Sequence, residues 1–256
     1  MASVADRIKN KLRRMFLQNT TKIRGAIPVA IVGSGNISAT HLSGYLESGY
    51  AYPAALCDVN PNALAGAMSK FGSIQGYIQT ERMFAEVKPQ IVSICTWPQS
   101  HLEIVEHAVR AGVRGILCEK PLTLRVDEAY AMKDLCDKNG VKLGGAHQYR
   151  FHDAFRAAAR AVESGLLGKS LRITGCIKST LANNGPHLVD AVRFILGDRK
   201  LIRVKCHCVR RKQEINRGYP AEDSAESLLE FEGDAQVTLS TGDAASDFFE
   251  IKSGCT

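Results

Sequence analysis

Short apolar runs alternate with amphipathic segments from residue 27 to residue 146, and this rhythm restricts the fold more than any other feature. The runs cover residues 27–32, 54–57, 91–96, 115–118 and 141–146. Segments of helical character separate them at residues 36–48, 60–72, 99–111 and 124–138. Such apolar strands between helices predict a parallel sheet covered on both faces, which is a doubly wound α/β (Rossmann) domain. Ligands of this fold class bind at the carboxyl ends of the strands.

The pattern changes after about residue 150. Helical segments at 153–164 and 187–196 stand beside strand patterns at 171–180, 201–210, 225–232, 235–241 and 247–252. Mostly consecutive strands predict a second α/β domain with an open, mostly antiparallel sheet. We therefore expect an amino-terminal extension over residues 1–26, a Rossmann domain over 27–147, and a second α/β domain over 148–256.

Basic residues are concentrated at the amino terminus. The net charge is +7, but residues 1–24 hold seven of the 33 Lys and Arg residues and only one of the 26 acidic residues. The remainder is nearly neutral and lacks the basic, aromatic surface that binds nucleic acid. Apolar residues recur at helical spacing in this segment, which predicts a basic amphipathic helix. We interpret it as docked on the protein or frayed; weak contact with a membrane surface and an organellar transit peptide are the alternatives.

The eight cysteines form no CxxC pair, and several of them end apolar runs. This usage predicts buried free thiols in a reducing cytoplasm. Cys206-His207-Cys208 looks like a metal-ligand cluster. Alternation along a strand, however, places the two thiols on one face and the imidazole on the other, so we predict no metal site.

The first apolar run leads directly into Gly33-Ser34-Gly35-Asn36-Ile37-Ser38, a GxGxxS turn at the start of a helix. In such turns the glycines let the backbone approach a pyrophosphate, and the helix directs its first N–H groups at the phosphates. Asp58 ends the second run, where a carboxylate binds the ribose hydroxyls and repels a 2′-phosphate. The turn therefore predicts NAD rather than NADP. The alternative role for Asp58 is an amino-terminal cap of the helix at Asn60.

Two further strand ends carry polar residues. Thr96 ends the run at 91–96, Pro98 and His101 follow it, and we expect all three at the cofactor, although a lone histidine in this position is often structural. Glu119-Lys120-Pro121 follows the run at 115–118. This segment is either a solvated turn or a loop that places Lys120 at the ligand-binding edge of the sheet.

Several segments together resemble the Gfo/Idh/MocA oxidoreductases. They are "VAIVGSGNISATH", "ICTWPQSHLEIVEHAVRAG", "CEKPLTL", "HQYRF", "GLLGK" and "GPHLVDAVRFILGD", in this order over about residues 27–240. The resemblance implies a dinucleotide-binding domain followed by an open-sheet substrate domain. It also implies hydride transfer between NAD(P) and a hydroxyl or carbonyl carbon of a sugar, nucleotide sugar or polyol. A homodimer or homotetramer, paired through the exposed face of the second sheet, is implied as well.

The same resemblance implies roles for individual residues. Lys120 and His187 would be catalytic, with Lys120 also beside the nicotinamide. Glu119 and Gln148 would border the cofactor. The substrate site would comprise Lys120, Arg150, Asn183, His187 and Asp190. Either His187 or Lys120 would take the proton of the hydroxyl, and the sequence leaves this choice open.

Two departures from the family are visible. Many members have aspartate where this chain has Asn183, and an amide cannot act as a base. The chain is also shorter than most members. Two alternative functions therefore stay open: an NAD-dependent glycoside hydrolase of the same family, and a non-enzymatic NAD-binding regulator.

Overall fold

The computed structural model describes residues 25–253 except 72–73, 169, 212–214, 217–218, 243–244 and 246. The predicted amino-terminal helix lies outside the described residues. The chain divides into two compact units between Ala146 and His147. In the described part of the chain, no helix has both the length and the apolar character to cross a membrane.

The first unit is a six-stranded parallel sheet with helices on both faces. Its strands are β1 (Ile27–Val32), β2 (Ala51–Cys57), β3 (Gln75–Tyr77), β4 (Ile91–Ile94), β5 (Gly115–Cys118) and β6 (Lys142–Gly145), and its helices are α1 (Asn36–Ser48), α2 (Pro61–Phe71), α3 (Thr80–Val87), α4 (His101–Arg110) and α5 (Val126–Lys138). The strand order is β3-β2-β1-β4-β5-β6, and all pairs are parallel. This order confirms the predicted Rossmann architecture.

The core of this unit lies on both sides of the sheet because its first strand is apolar throughout. Val29, Ala30 and Ile31 of β1 have no exposed surface. On one side Ile31 packs with Leu42 and Leu46 of α1 and with residues of α2. On the other side Ala30 packs with residues of α3, α4 and α5. A run with this burial cannot alternate apolar and polar residues, which explains its strength as a sequence signal.

The second unit is a five-stranded mixed sheet with helices α6 (Asp153–Glu163) and α7 (Gly185–Ile195). Its strands are β7 (Leu171–Ile177), β8 (Leu201–Val209), β11 (Ser224–Phe231), β12 (Ala235–Gly242) and β13 (Phe248–Ser253), while β9 (Ile215–Asn216) and β10 (Tyr219–Pro220) form a separate small hairpin. The order is β13-β7-β12-β11-β8, in which only β7 and β12 are parallel. The predicted mostly antiparallel sheet is confirmed. Leu188, Val192 and Ile195 of α7 pack on residues of β7 and β12.

Several predicted boundaries change. β3, α3 and the β9–β10 hairpin were absent from the sequence prediction. The predicted strand 91–96 ends at Ile94, and a short 3-10 turn, Pro98–Ser100, precedes α4. The predicted strand 171–180 ends at Ile177 because the Thr180 carbonyl accepts bonds from the N–H groups of residues 183–185, which form a turn. The expected division into an extension (1–26) and two domains (27–147 and 148–256) stays a prediction.

Candidate active site

The carboxyl ends of four neighbouring strands bring most of the predicted cofactor residues to one edge of the first unit. Gly33 N donates to the Cys57 carbonyl (2.8 Å), and Glu119 N donates to the Ile94 carbonyl (2.9 Å). These bonds place the glycine turn after β1 beside the end of β2, and the Glu-Lys-Pro loop beside the end of β4. The strand order reverses between β1 and β4, so this edge is the switch point at which doubly wound folds bind ligands.

The glycine turn is shaped by a close backbone approach. Gly33 has φ +95°, and a Cβ added there would lie 2.7 Å from the carbonyl carbon and oxygen of Cys95. Gly35 has φ −69° and precedes α1, and nothing lies within 4 Å of an added Cβ. Asn36 and Ile37 are exposed. Among the described residues no side chain caps this helix end, so its N–H groups suit an anionic ligand such as a pyrophosphate.

Asp58, which directly follows β2, is hydrogen-bonded to Ser34 of the glycine turn. Its Oδ2 accepts hydrogen bonds from Ser34 N (2.7 Å) and Ser34 Oγ (2.6 Å), and its Oδ1 accepts from Asn60 N (2.8 Å). The alternative role as a helix cap is wrong, because the Asn60 side chain accepts from the N–H groups of Asn62 (3.0 Å) and Ala63 (3.3 Å) at the start of α2. Asp58 is half-buried at the ligand edge, where a ribose would approach.

His101 occupies a different environment from the one predicted. It has no exposed surface, and its ring nitrogens lie 2.9 Å from the Leu122 carbonyl (Nδ1) and 3.2 Å from the Thr96 carbonyl (Nε2). This burial does not fit a direct cofactor contact; His101 instead connects the loop after β4 to the Glu-Lys-Pro loop. Thr96 is half-buried and its Oγ1 accepts from Ser100 Oγ (2.8 Å), while Pro98 is buried.

Glu119 and Lys120 stand at the end of β5. Glu119 is 8% exposed, its Oε2 accepts from Lys120 N (3.1 Å), and its Oε1 lies 3.0 Å from His41 Nε2. Burial by itself raises the pKa of Glu119, but the hydrogen bonds from His41 and from Lys120 N, together with the electrostatic influence of both residues, outweigh it and lower that pKa below the ordinary value. The Lys120–Pro121 peptide bond is cis, and Lys120 is half-buried.

Sequence reasoning missed three residues that form a hydrogen-bond chain ending at Glu119: Tyr45, Ser93 and His41. His41 on α1 contacts Ser93 Oγ through Nδ1 (3.0 Å), and Ser93 Oγ lies 2.7 Å from the Tyr45 hydroxyl. One signal was available: Ser93 is polar within the apolar strand β4, and a buried hydroxyl requires partners. The identity of those partners depends on how α1 packs, which the sequence does not state.

In the second unit, His187 lies in the first turn of α7 and is 7% exposed. Its ring centroid is 5.1 Å from that of Tyr149 and 6.1 Å from that of His147. Asn183 precedes the helix; its Nδ2 donates to Ser179 Oγ (3.1 Å). Gln148 is exposed in the 3-10 turn Gln148–Phe151.

Arg150 and Asp190, both predicted to bind substrate, bind each other. Arg150 Nη2 donates to Asp190 Oδ1 (2.8 Å) and Arg150 Nε donates to Asp190 Oδ2 (2.9 Å), which is a bidentate pair. The hydrogen bonds to Asp190 raise the pKa of Arg150. The Asp190 side chain is 11% exposed and that of Arg150 36% exposed. The pair therefore connects the 3-10 turn to α7 and holds the helix that carries His187.

No metal site accompanies these residues in the described part of the chain, where no three His, Cys, Asp or Glu side chains are grouped as ligands. Cys206 and Cys208 lie on one face of β8 with their sulfur atoms 3.4 Å apart.

Comparison with known proteins identifies relatives that match most of this chain. D-apiose dehydrogenase of Paraburkholderia graminis is 30% identical in an alignment of 220 residues that covers 79% of this chain and 57% of that enzyme. D-glucoside 3-dehydrogenase of Escherichia coli is 26% identical in an alignment of 247 residues that covers 83% of this chain and 69% of that enzyme. The chain thus spans little more than half the length of the first of these relatives.

Solved structures share the fold at lower identity. An oxidoreductase from Agrobacterium radiobacter, in complex with NAD+, L-tartaric acid and magnesium, has a TM-score of 0.76 at 23% identity, covering 88% of this chain and 70% of that one. The WlbA dehydrogenase from Bordetella pertussis, in complex with NADH and UDP-GlcNAcA, has a TM-score of 0.76 at 21% identity, covering 85% of this chain and 71% of that one.

Residues 27–147 match the model of an oxidoreductase family with an NAD-binding Rossmann fold. This segment holds the glycine turn, Asp58 and the Glu-Lys-Pro loop described above. Through it, the chain belongs to the Gfo/Idh/MocA oxidoreductase family.

Proposed function

We propose that the chain is an NAD-dependent dehydrogenase acting on a hydroxyl or carbonyl carbon of a sugar, nucleotide sugar or related polyol. The observation that carries the proposal is the convergence of the glycine turn, Asp58 and Lys120 at one edge of the first sheet. The dehydrogenases of D-apiose and D-glucosides among the relatives support the substrate class.

The residues present fit a dinucleotide. The turn leaves open space at Gly35, the amino end of α1 suits a pyrophosphate, and Asp58 presents a carboxylate to a ribose while repelling a 2′-phosphate. When bound, NAD+ accepts a hydride at C4 of its nicotinamide. The protein contributes orientation, charge and the exclusion of water around the reacting carbon.

Lys120 and His187 have the two remaining roles, which are charge stabilisation and proton acceptance. The Lys120 side chain donates a hydrogen bond to the reacting oxygen and stabilises the negative charge that develops there. We assign proton acceptance to His187, because imidazole changes protonation near neutral pH. Asn183 orients the substrate hydroxyl without acting as a base.

NADH formation tests the proposal. The purified protein is incubated with NAD+ and apiose, glucosides, inositols or nucleotide sugars, and both NADH and the organic products are quantified. Net NADH with a matching oxidised product is expected. Release of a sugar without net NADH would instead indicate the glycoside hydrolase, and NADH binding without turnover of any compound would indicate the regulator.

Assembly and compartment are part of the same proposal. β8 forms one edge of the second sheet and exposes Leu201, Ile202 and Val204, which supports association into a homodimer or homotetramer through this unit. Light scattering after size exclusion tests this assembly. The seven described cysteines are free thiols, which supports a reducing compartment such as the cytoplasm. Membrane contact by the amino-terminal segment stays a prediction that vesicle co-sedimentation would test.

A further inference from the structure

We propose that Tyr45, Ser93 and His41 are positioning residues that hold the Glu119 carboxylate as a fixed hydrogen-bond acceptor and thereby orient Lys120. We refer to Tyr45, Ser93, His41 and Glu119 as the His41 network. The role given to Lys120 rests on the proposed function; the contacts within the network do not.

The network is continuous and almost sealed from solvent. Tyr45 OH, Ser93 Oγ and His41 Nδ1 follow one another at 2.7 and 3.0 Å, and His41 Nε2 lies 3.0 Å from Glu119 Oε1. Ser93 has no exposed surface, and the side chains of His41 and Glu119 are 7% and 10% exposed. Buried polar groups of this kind are costly unless each one is satisfied.

The donors and acceptors permit one arrangement with a neutral histidine. An ionised Glu119 has only acceptors, so His41 Nε2 must carry the hydrogen. The Nδ1 atom of a neutral imidazole then accepts from the Ser93 hydroxyl, and Ser93 Oγ accepts from the Tyr45 hydroxyl. With a neutral His41, every group donates in the same direction, towards the carboxylate, whose second oxygen accepts from Lys120 N.

Burial also keeps the neighbouring thiol and phenol groups uncharged. Burial and the Glu119 charge raise the pKa of the Cys95 and Cys118 thiols, so both stay neutral. Burial likewise raises the pKa of the Tyr45 hydroxyl. The positive charge of Lys120 also acts on the Glu119 carboxylate. The carboxylate is therefore the one negative charge among these named groups at neutral pH.

The arrangement does not serve a serine nucleophile. Although serine, histidine and glutamate follow one another as in a hydrolytic triad, the Ser93 hydroxyl is completely buried within β4. A substrate carbonyl has no access to it. The network must act through the residue at its open end, which is Lys120.

The position of His41 gives the network its function. His41 lies on α1, the helix that begins at the glycine turn, and Leu42 beside it is fully buried in the core. Glu119 belongs to the loop that carries Lys120. The contact between His41 and Glu119 therefore fastens the helix that faces the pyrophosphate to the loop that faces the reacting oxygen. A displacement of α1 is transmitted to Lys120 through this bond.

Titration of the Glu119 carboxyl by carbon NMR tests the network without cofactor or substrate. The Glu119 resonance is assigned by its loss in Glu119→Gln. We expect it to titrate below an ordinary glutamate in the wild type and to move upward in His41→Leu and His41→Asn. His41→Gln should stay close to the wild type, because its Nε2 can still donate to Glu119 Oε1. An unchanged Glu119 titration in His41→Leu would overturn the proposal.

A second histidine supplies a matched control. His107 also contacts a hydroxyl and a carboxylate, with Nδ1 2.9 Å from Thr80 Oγ1 and Nε2 3.5 Å from Glu81 Oε1. His107→Gln should leave the Glu119 titration unchanged. If His41→Leu fails to fold, Tyr45→Phe removes only the far donor and should produce a smaller upward shift; no shift in that variant would then refute the network.

Turnover separates this proposal from the proposed function. With a substrate in hand, His41→Leu should lower kcat about tenfold or more, and His41→Gln should restore most of it. If the wild type forms no NADH, the proposed function fails while the carboxyl titration still decides on the network. If the wild type is active and His41→Leu keeps the wild-type kcat, the positioning role is refuted alone.

Discussion

Gly33 and Gly35 belong to the same sequence motif, but replacement by alanine should affect different properties: protein stability at Gly33 and NADH affinity at Gly35. At Gly33 the methyl group would lie 2.7 Å from Cys95 backbone atoms and 2.9 Å from Thr96 N. These atoms cannot move freely, because Cys95 N donates to the Val32 carbonyl at 2.7 Å. The positive φ adds about 1–2 kcal/mol and the steric contact about 1–3 kcal/mol. Gly33→Ala should therefore destabilise the protein by about 2–5 kcal/mol.

Gly35→Ala is the matched variant. Its backbone is compatible with alanine and its Cβ meets nothing within 4 Å, so the loss of stability should be below about 1 kcal/mol. The methyl group would nevertheless occupy the space through which a pyrophosphate approaches the turn, so NADH affinity should fall about tenfold or more.

Urea unfolding and NADH fluorescence titration on both variants provide the two measurements. The expected result is a large loss of stability for Gly33→Ala, and a stable Gly35→Ala protein that binds NADH weakly. Equal stability losses would contradict the steric reasoning. Wild-type NADH affinity in Gly35→Ala would contradict the placement of the pyrophosphate.

Three further predictions concern charged groups. Asp58→Asn removes the charge that repels a 2′-phosphate, so calorimetry should find the preference for NADH over NADPH reduced about tenfold; an unchanged ratio would contradict the ribose assignment. Arg150→Lys loses the bidentate pair with Asp190. Because the arginine side chain is partly exposed, the loss of stability in urea unfolding should be only about 1–2 kcal/mol. Wild-type stability of this variant would contradict the supporting role of the pair. Because the pKa of Glu119 is lowered in the folded state, its ionisation stabilises the protein above the ordinary glutamate pKa of about 4.3, and this stabilisation is lost as the pH falls through the folded-state pKa. The difference in urea midpoint between wild type and Glu119→Gln should shrink over that range, and a constant difference would contradict it.

The sequence predicted β1 and β4 because both strands are largely apolar, and residues of each pack with helices on both faces of the sheet. β3 escaped the prediction because it is an edge strand of three residues in which only Tyr77 is buried. α3 has eight residues, which is barely two turns and too short for a clear helical period.

The residues of the candidate site also fall into a group that the sequence predicts and a group that it does not. Residues placed by the end of a strand, such as Gly33, Asp58 and Lys120, are accessible to sequence reasoning because parallel strands deliver their ends to one edge. Pairs formed by packing are not: His41 and Glu119 are 78 residues apart, and Arg150 and Asp190 are 40 apart.

Those packed pairs alter the predicted roles. The family resemblance assigned Arg150 and Asp190 to the substrate site. The structure directs their charges at each other, which makes them supports for α7. His101 likewise changes from a cofactor contact to a buried connection between two loops.

The most direct test of the central claim is the rate of NADH formation by Lys120→Met with the best substrate from the panel. Lys142→Met serves as the control, because Lys142 is an exposed lysine of β6 in the same unit. If Lys120 stabilises charge on the reacting oxygen, turnover should fall about 100-fold or more in Lys120→Met and stay at the wild-type level in Lys142→Met, with NADH still bound by both. Wild-type turnover in Lys120→Met would contradict the account.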